Sequence, residues 1–277
     1  MNHDPTRRRL LAGGAAAALT SLAGCTGLTP FVGTREEETR TVALEDAESL
    51  AVVGQVGDVT LRAADRSDVR VHTVKQSSSV TADVSKLSLA VERADGRLVL
   101  RTEWSGGGDL FGGRPSMSLD VRVPRSLAVA RAATNVGDLR VTDAAGDLDA
   151  TTDVGDVTID GVSGTVTGES STGDVEIRSP DVLGDVRTET GDLTVDAPAL
   201  AGDTRIESET GDVDLAVADS VGAELSVRTE TGDVSVSGLE LSDSTRAEHV
   251  VTGTLGDGGP SLTVRTETGD VSVTAMR

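Results

Sequence analysis

The sequence ETGDL at residues 189–193 returns as ETGDV at 209–213 and at 230–234, within a series of Gly-Asp pairs that extends from Asn135 to Ser237. The glycines of this series are Gly137, Gly155, Gly173, Gly191, Gly211 and Gly232, and they are 18, 18, 18, 20 and 21 residues apart. Outlying copies occur at Gly57 and Gly269. Self-similarity at a fixed period indicates a repeat architecture in which each unit is one supersecondary element.

Each repeat contains two short strands. Apolar and polar residues alternate after the Gly-Asp pair, as in Val175-Glu176-Ile177, and this period of two predicts a half-buried strand. A second alternation precedes the pair, as in Leu225, Val227 and Thr229. The period is too short for a βαβ unit, which needs roughly 30 residues. The repeats therefore predict an all-β fold without helices.

Two architectures fit this pattern, a parallel β-solenoid and a meander of hairpins. Hairpins favour Asn-Gly or Asp-Gly turns between strands of opposite direction, whereas every turn here has the order Gly-Asp and each unit restarts in the same sense. Coils that stack every ~4.8 Å also need inward residues of similar size, and the large aromatics Phe31, Trp104 and Phe111 all lie outside the repeats. We predict a single-stranded parallel β-solenoid with coils of 18–21 residues.

Residues 1–24 have the form of an export signal. The paired arginines Arg7 and Arg8, followed by two leucines and an Ala-rich apolar run, are typical of twin-arginine export. The run ends at Leu22-Ala23-Gly24-Cys25, which resembles the lipobox of prokaryotic lipoproteins, and Cys25 is the single cysteine of the chain. We predict that Cys25 becomes the lipidated first residue and anchors the protein to the outer face of the cell membrane.

The remaining chain divides by pattern into three parts. Residues 25–40, which contain Pro30 and the run Glu36-Glu37-Glu38, predict a disordered tether. Residues 41–134 alternate without a fixed spacing and predict an irregular β lead-in or an N-terminal cap. Residues 135–277 predict the regular solenoid, with an insertion around 238–260.

The composition is strongly acidic, with 46 Asp and Glu against 25 Lys and Arg and a formal charge of -21. Lysine occurs only at Lys75 and Lys86. An acidic surface with few lysines is typical of proteins that are soluble in concentrated salt, although an ordinary acidic extracytoplasmic protein also fits. Nucleic acid is not an expected partner, because the phosphates would repel this surface.

Stacked coils would place the acidic residues of the repeat in columns. Gly and Asp are common in turns for structural reasons, because Gly accepts a positive φ and an Asp carboxylate caps nearby N–H groups. The alternative is a cation-binding strip, for which Ca²⁺ is the candidate ion although the sequence does not match the calcium nonapeptide repeat. The candidate residues are Asp174, Asp192, Asp212 and Asp233 in one column and Glu189, Glu209 and Glu230 in the other.

One outward column predicts alternating charge, since the position four residues before each glycine reads Glu169, Arg187, Glu207 and Arg228. In-register stacking would place these four side chains ~5 Å apart in sequence order.

Catalysis is not expected, so no catalytic residue is assigned. The chain has no Tyr, its histidines outside the signal are the isolated His72 and His249, and no zinc spacing or nucleophile motif occurs. Paired carboxylates could nevertheless arise by chance among so many acids, which keeps a glycan-active β-helix as an alternative.

The export signal, the β lead-in that ends at Val123-Pro124, the Gly-Asp coils and the final Gly269-Asp270-Val271 together resemble the "putative adhesin" family of β-strand-repeat domains. The resemblance covers residues from Thr41 to the C-terminus. It implies a right-handed β-helix at the cell surface and no catalytic residues. The sequence thus predicts a membrane-anchored module for binding, adhesion or envelope structure, with cell-envelope glycan or protein as partner; the alternative is a calcium-dependent binding module.

Overall fold

A computed structural model describes residues 33–79, 83–106 and 115–276. The export signal with Arg7 and Arg8, and the lipidation candidate Cys25, lie outside the described residues. Within the described ranges the short 3-10 helix Val84–Lys86 is the one helical segment, and all other regular structure is β. Those ranges contain no helix of the length and apolarity that a membrane span needs.

The strands form two sheets. Sheet A contains β1 (Thr34–Val42), β3 (Val59–Ala64), β4 (Val69–Ser77), β7 (Ser116–Pro124), β9 (Leu139–Thr142), β11 (Val157–Asp160), β13 (Val175–Arg178), β15 (Leu193–Ala197), β17 (Val213–Val217), β19 (Val234–Ser237) and β23 (Val271–Ala275). Sheet B contains β2 (Ser49–Val53), β5 (Leu87–Ala94), β6 (Arg97–Trp104), β8 (Ala128–Val136), β10 (Leu148–Val154), β12 (Thr165–Thr172), β14 (Val182–Thr190), β16 (Thr204–Thr210), β18 (Ala223–Thr231), β20 (Leu241–Ala247), β21 (Val250–Leu255) and β22 (Ser261–Thr268).

Each coil of the repeat passes from a strand of sheet B to a strand of sheet A and then stacks on the next coil. The pairing between coils is parallel and in register, so that Val157 of β11 lies between Leu139 of β9 and Val175 of β13. The prediction of an all-β, solenoid-like fold is confirmed, and the hairpin meander is wrong for these coils. The right-handed sense stays a prediction.

The core lies between the two sheets and consists of branched aliphatic side chains. Along β11, Val157 and Ile159 are fully buried while the intervening Thr158 is half-buried, as the period of two requires. The residues predicted to point inward from β18, Leu225, Val227 and Thr229, are all buried. Such side chains fill a narrow space between the sheets because their sizes match from coil to coil.

Antiparallel strands close the N-terminal end of the stack. Strand β4 pairs antiparallel with both β1 and β7, and β5 pairs antiparallel with β6. The prediction of a disordered tether over residues 25–40 is wrong for residues 34–40, which belong to strand β1. The error came from the run Glu36-Glu37-Glu38, whose side chains are exposed on an edge strand. Charges on an edge strand discourage pairing with other chains, so an acidic run is compatible with β-structure there.

The C-terminal end departs from sequence order. The last coil, β22 and β23, lies between the coil of β16 and β17 and the coil of β18 and β19. The predicted insertion around 238–260 contains β20 and β21, and β21 pairs antiparallel with β18. The final Gly-Asp coil therefore occupies an interior place in the stack. The antiparallel strands β20 and β21 cover the end of the stack on sheet B.

This order corrects the outward charge column. Glu169 lies beside Arg187 and Arg187 beside Glu207, as the spacing predicts. The neighbour of Glu207 on the far side is Arg265 rather than Arg228, and Arg228 lies beyond Arg265. The alternation of sign therefore ends in two adjacent arginines.

Gly191 shows why the repeat requires glycine at the corner. Its φ of 148° lies in the region that side chains disfavour. A Cβ built there would also overlap the carbonyl oxygen of Gly173 in the preceding coil.

The variant Gly191→Val should lose at least about 3 kcal/mol of unfolding free energy, because a strained backbone alone costs about 1–3 kcal/mol and the overlap adds to it. Gly202→Ala is the control, since Gly202 has a similar φ of 144° and a Cβ there meets nothing within 4 Å. Urea unfolding measures both variants. A loss below about 0.5 kcal/mol for Gly191→Val, which is the range of a surface substitution, would contradict the corner geometry.

Candidate binding surface

The Gly-Asp corners form a ridge along the solenoid, which we call the corner ridge. It consists of four parallel columns: glutamates, then β-branched residues, then the glycines, then aspartates. The glutamates are Glu189, Glu209, Glu267 and Glu230, the β-branched residues are Val136, Val154, Thr172, Thr190, Thr210, Thr268 and Thr231, and the aspartates are Asp58, Asp138, Asp156, Asp174, Asp192, Asp212, Asp270 and Asp233. All these acidic side chains are exposed.

The aspartate side chains link successive coils by accepting hydrogen bonds from backbone N–H groups. The N–H of Asp192 donates to Oδ1 of Asp174 at 2.8 Å, and the N–H of Asp212 donates to Oδ1 of Asp192 at the same distance. The ladder continues through Asp270 to Asp233, each at 2.8 Å. Each carboxylate before Asp233 thus satisfies a backbone N–H of the next coil. This is the structural role that Gly-Asp turns predict.

The carbonyl of each corner glycine except Gly232 accepts a hydrogen bond from a buried hydroxyl of the next coil. The hydroxyl of buried Thr188 donates to the carbonyl of Gly173 at 3.0 Å, and the hydroxyl of buried Ser208 donates to Gly191 at 3.1 Å. The same bond recurs from Thr134, Thr152, Ser170, Thr266 and Thr229 to the corner glycine of the preceding coil. These buried hydroxyls therefore all have partners.

His249 ends this hydroxyl ladder. The carbonyl of Gly232, in the coil of β18 and β19 at the end of the stack, lies 2.8 Å from Nδ1 of His249, which replaces the hydroxyl of a further coil. Because a carbonyl only accepts, the hydrogen bond assigns the proton to Nδ1. His249 is half-buried in this cap. His72 lies on the outer face of β4 instead, with Nδ1 3.1 Å from the hydroxyl of Thr39.

Arginines of the outward charge column neutralise much of the glutamate column. Arg187 forms an ion pair with Glu209 at 3.0 Å, and Arg265 forms ion pairs with Glu230 at 3.1 Å and Glu267 at 3.0 Å. Glu189 makes no ion pair within the described ranges. The glutamates and arginines together form a zwitterionic strip beside the all-acidic aspartate column.

The structure does not gather the predicted cation ligands into a coordination site. In the part of the chain that the structure describes, no group of three or more His, Cys, Asp or Glu side chains is arranged to hold a metal ion. The candidates of one column instead lie a coil apart, with one oxygen of each of Asp174, Asp192 and Asp212 already accepting a backbone N–H. Asp233 lies next to Asp270 rather than Asp212, and Glu230 next to Glu267 rather than Glu209, because the last coil is inserted.

A second corner, opposite the first, also uses aspartate. Oδ1 of Asp147 and of Asp203, each directly before a strand of sheet B, accepts the N–H of Thr165 and Ser261, both at 2.8 Å. Asp185, inside β14, makes the same bond with the N–H of Arg205 at 2.8 Å. The hydrogen bonds from Ser261, first from its backbone and then from its side chain, hold the pKa of Asp203 below its ordinary value. The pairs Gly146-Asp147 and Gly202-Asp203 are visible in the sequence and could have predicted this corner.

The model of the Toastrack DUF4097 family matches residues 116–274, which is more than half of the chain. The chain therefore belongs to the Toastrack DUF4097 family. No curated protein matches it significantly in sequence.

Several solved structures are similar over most of their length. A "putative cell adhesion protein" from Clostridium sporogenes is 12% identical, with 88% of this chain and 100% of that chain covered and a TM-score of 0.38. A "putative adhesin" from Parabacteroides distasonis is 11% identical, with 89% and 98% covered and a TM-score of 0.40. A "putative lipid binding protein" from the same organism is 11% identical, with 88% and 97% covered and a TM-score of 0.35.

The variant Thr188→Val should lose about 1–3 kcal/mol of unfolding free energy, because it leaves the buried carbonyl of Gly173 without a donor. Thr190→Val, on the same strand, should stay within about 0.5 kcal/mol of the parent chain. Its side chain is exposed, and Val154 already occupies this column. Denaturant unfolding compares the two. Equal losses would contradict the hydroxyl ladder.

The variant Asp203→Asn should be less stable than the parent chain at neutral pH, and the difference should shrink in acid. A lowered carboxyl pKa contributes stability above the unfolded-state value, near 3.8, and that stability is lost as pH falls through the lower folded-state value. Thermal unfolding from neutral to strongly acidic pH measures the difference. Asp219→Asn is the control, since that carboxylate has no hydrogen-bond partner within the described ranges. A loss of stability in Asp203→Asn that does not change with pH would contradict the lowered pKa of Asp203.

Proposed function

We propose that this protein is a lipid-anchored module on the outer face of the cell membrane that binds an extended component of the cell envelope, for adhesion or for envelope structure. The observation that carries the proposal is the length and regularity of the corner ridge. Eight aspartates repeat at the strand spacing of ~4.8 Å, which gives an acidic column of roughly 34 Å. The glutamates and threonines lie beside it on the four coils at its C-terminal end. Such a surface suits a polymer with a repeat of its own better than a small molecule.

The chemistry of the ridge favours a glycan or a protein segment as the ligand. The zwitterionic strip offers carboxylates and guanidinium groups, and the threonines beside it offer hydroxyls, so hydroxyl and amide groups of a polymer find partners on each of these four coils. We do not expect nucleic acid to bind, since -21 formal charges oppose it. We also do not expect catalysis, because the ridge repeats one set of groups rather than gathering different ones.

Anchoring follows from the sequence of the export signal and Cys25. Strand β1 begins at Thr34, nine positions after a lipidated Cys25, with eight residues between them. At most ~3.6 Å per residue, this chain would hold the N-terminal end of the solenoid within about 32 Å of the lipid. The module would therefore act close to the membrane surface.

Anchoring is tested by Cys25→Ser in the producing cell. The variant should be released into the medium or accumulate as an unprocessed precursor, while the parent chain fractionates with membranes. A variant that stays membrane-bound and is processed normally would refute the lipid anchor. Retention of Arg7 and Arg8 in the variant keeps export itself unchanged.

Binding is tested by sedimentation of the full chain, carrying Cys25→Ser, with purified cell-envelope material. The triple variant Glu189→Gln, Glu209→Gln and Glu230→Gln should bind at least about tenfold more weakly, a loss of about 1.4 kcal/mol. The control makes the same charge change off the ridge, through Asp160→Asn, Asp214→Asn and Asp219→Asn. Equal binding by both variants would refute the ridge as the binding surface.

A calcium-dependent module is the second candidate, carried by the all-acidic aspartate column. Sedimentation with added Ca²⁺ and with a chelator separates the two. Binding that the chelator abolishes would favour the calcium-dependent module, and binding unaffected by it would favour direct recognition.

A further inference from the structure

The last coil of the chain fills a place between two coils that precede it in sequence. Strand β22 pairs with β16 on one side and β18 on the other, and β23 pairs with β17 and β19. Residues 218–222 connect β17 to β18 across this place. The chain thus forms a slot that is one coil wide, and residues 261–275 fill it.

The slot and the coil match at every column. Thr266 donates to the carbonyl of Gly211 on one side, and the carbonyl of Gly269 accepts from Thr229 on the other, both at 2.9 Å. Leu262 and Val264 of the coil are fully buried between the sheets. The contacts are made by the repeated phrase, so any copy of this coil satisfies the slot equally well.

A short segment connects the coil to the strand that precedes it. Residues 256–260, Gly-Asp-Gly-Gly-Pro, join β21 to β22. Gly256, Gly258 and Gly259 have φ values of 55°, 78° and 146°, so this hinge is built from residues with wide conformational freedom.

We propose that the C-terminal coil is exchangeable between copies of this chain, so that residues 261–275 of one copy fill the slot of another. Domain swapping of this kind uses the contacts of the closed monomer and needs no new surface. A chain's own coil competes with the incoming one, and a short flexible hinge gives it an effective concentration in the mM range. Exchange is therefore favoured where copies are concentrated.

A disulfide between neighbouring strands identifies which chain fills the slot. Ser235 of β19 and Ser272 of β23 are register partners on the outer face of sheet A. Parallel neighbours at ~4.8 Å lie within the Cα separation that a disulfide needs. In the full chain carrying Cys25→Ser, the pair Ser235→Cys and Ser272→Cys forms a bond within one chain when the monomer is closed and between chains when the coil is exchanged.

The experiment is to unfold this variant, refold it over a range of protein concentrations, oxidise it, and separate the products on non-reducing gels. With an effective concentration of about 1 mM, refolding at about 0.1 mM should give roughly one inter-chain bond for ten intra-chain bonds, in proportion to concentration. The control pair is Thr194→Cys and Asp214→Cys, which joins β15 to β17 in coils that follow one another in sequence.

The control pair should remain within one chain at every concentration. Absence of inter-chain product from the Ser235 and Ser272 pair at every concentration would overturn the proposal. Equal inter-chain product from both pairs would also overturn it, because the exchange would then involve the whole chain rather than the last coil.

Discussion

The stack depends on one peptide group per coil, the group between the corner glycine and the aspartate. In a regular parallel ladder its carbonyl would accept the N–H of the next coil directly. At this corner the buried hydroxyl of the next coil satisfies the carbonyl of Gly173, while the N–H of Asp192 turns to the carboxylate of Asp174. Two side chains thus replace one backbone bond. This explains why the repeat keeps Ser or Thr three residues before Gly and Asp directly after it.

Within each repeat, the side chains that hold the coils together are different from those that remain available to a ligand. One carboxylate oxygen of each ladder aspartate before Asp233 accepts a backbone N–H, whereas Arg187 and Arg265 of the zwitterionic strip pair with glutamates of the same strip. The hydroxyl column inside the corner and the threonine column outside it differ in the same way, as Thr188 is buried and Thr190 exposed. The residues that build the solenoid and the residues free to bind alternate along one strand.

Much of this fold could be predicted because the repeat sets register locally. Strand direction, inward faces and the partners of Arg187 follow from a spacing of 18 to 20 residues. The insertion of β22 and β23 could not be predicted, since identical columns make every stacking order equally compatible. Strand β1 was missed because the run Glu36-Glu37-Glu38 was interpreted as disorder, whereas these side chains are exposed on an edge strand. The role of His249 was missed because it donates to Gly232 only through its position beyond the coil of β18 and β19, at the end of the stack.

The interior position of the last coil also affects how the protein is made. Synthesis proceeds from the N-terminus, so the coil of β18 and β19 emerges from the ribosome before β22 and β23 do. Until residues 261–275 emerge, the slot is either open or closed by contacts that must later break. The complete stack can form only after residues 261–275 have emerged, so this end folds after the coils that precede it in sequence. A solenoid built in sequence order could instead add each coil as it appears.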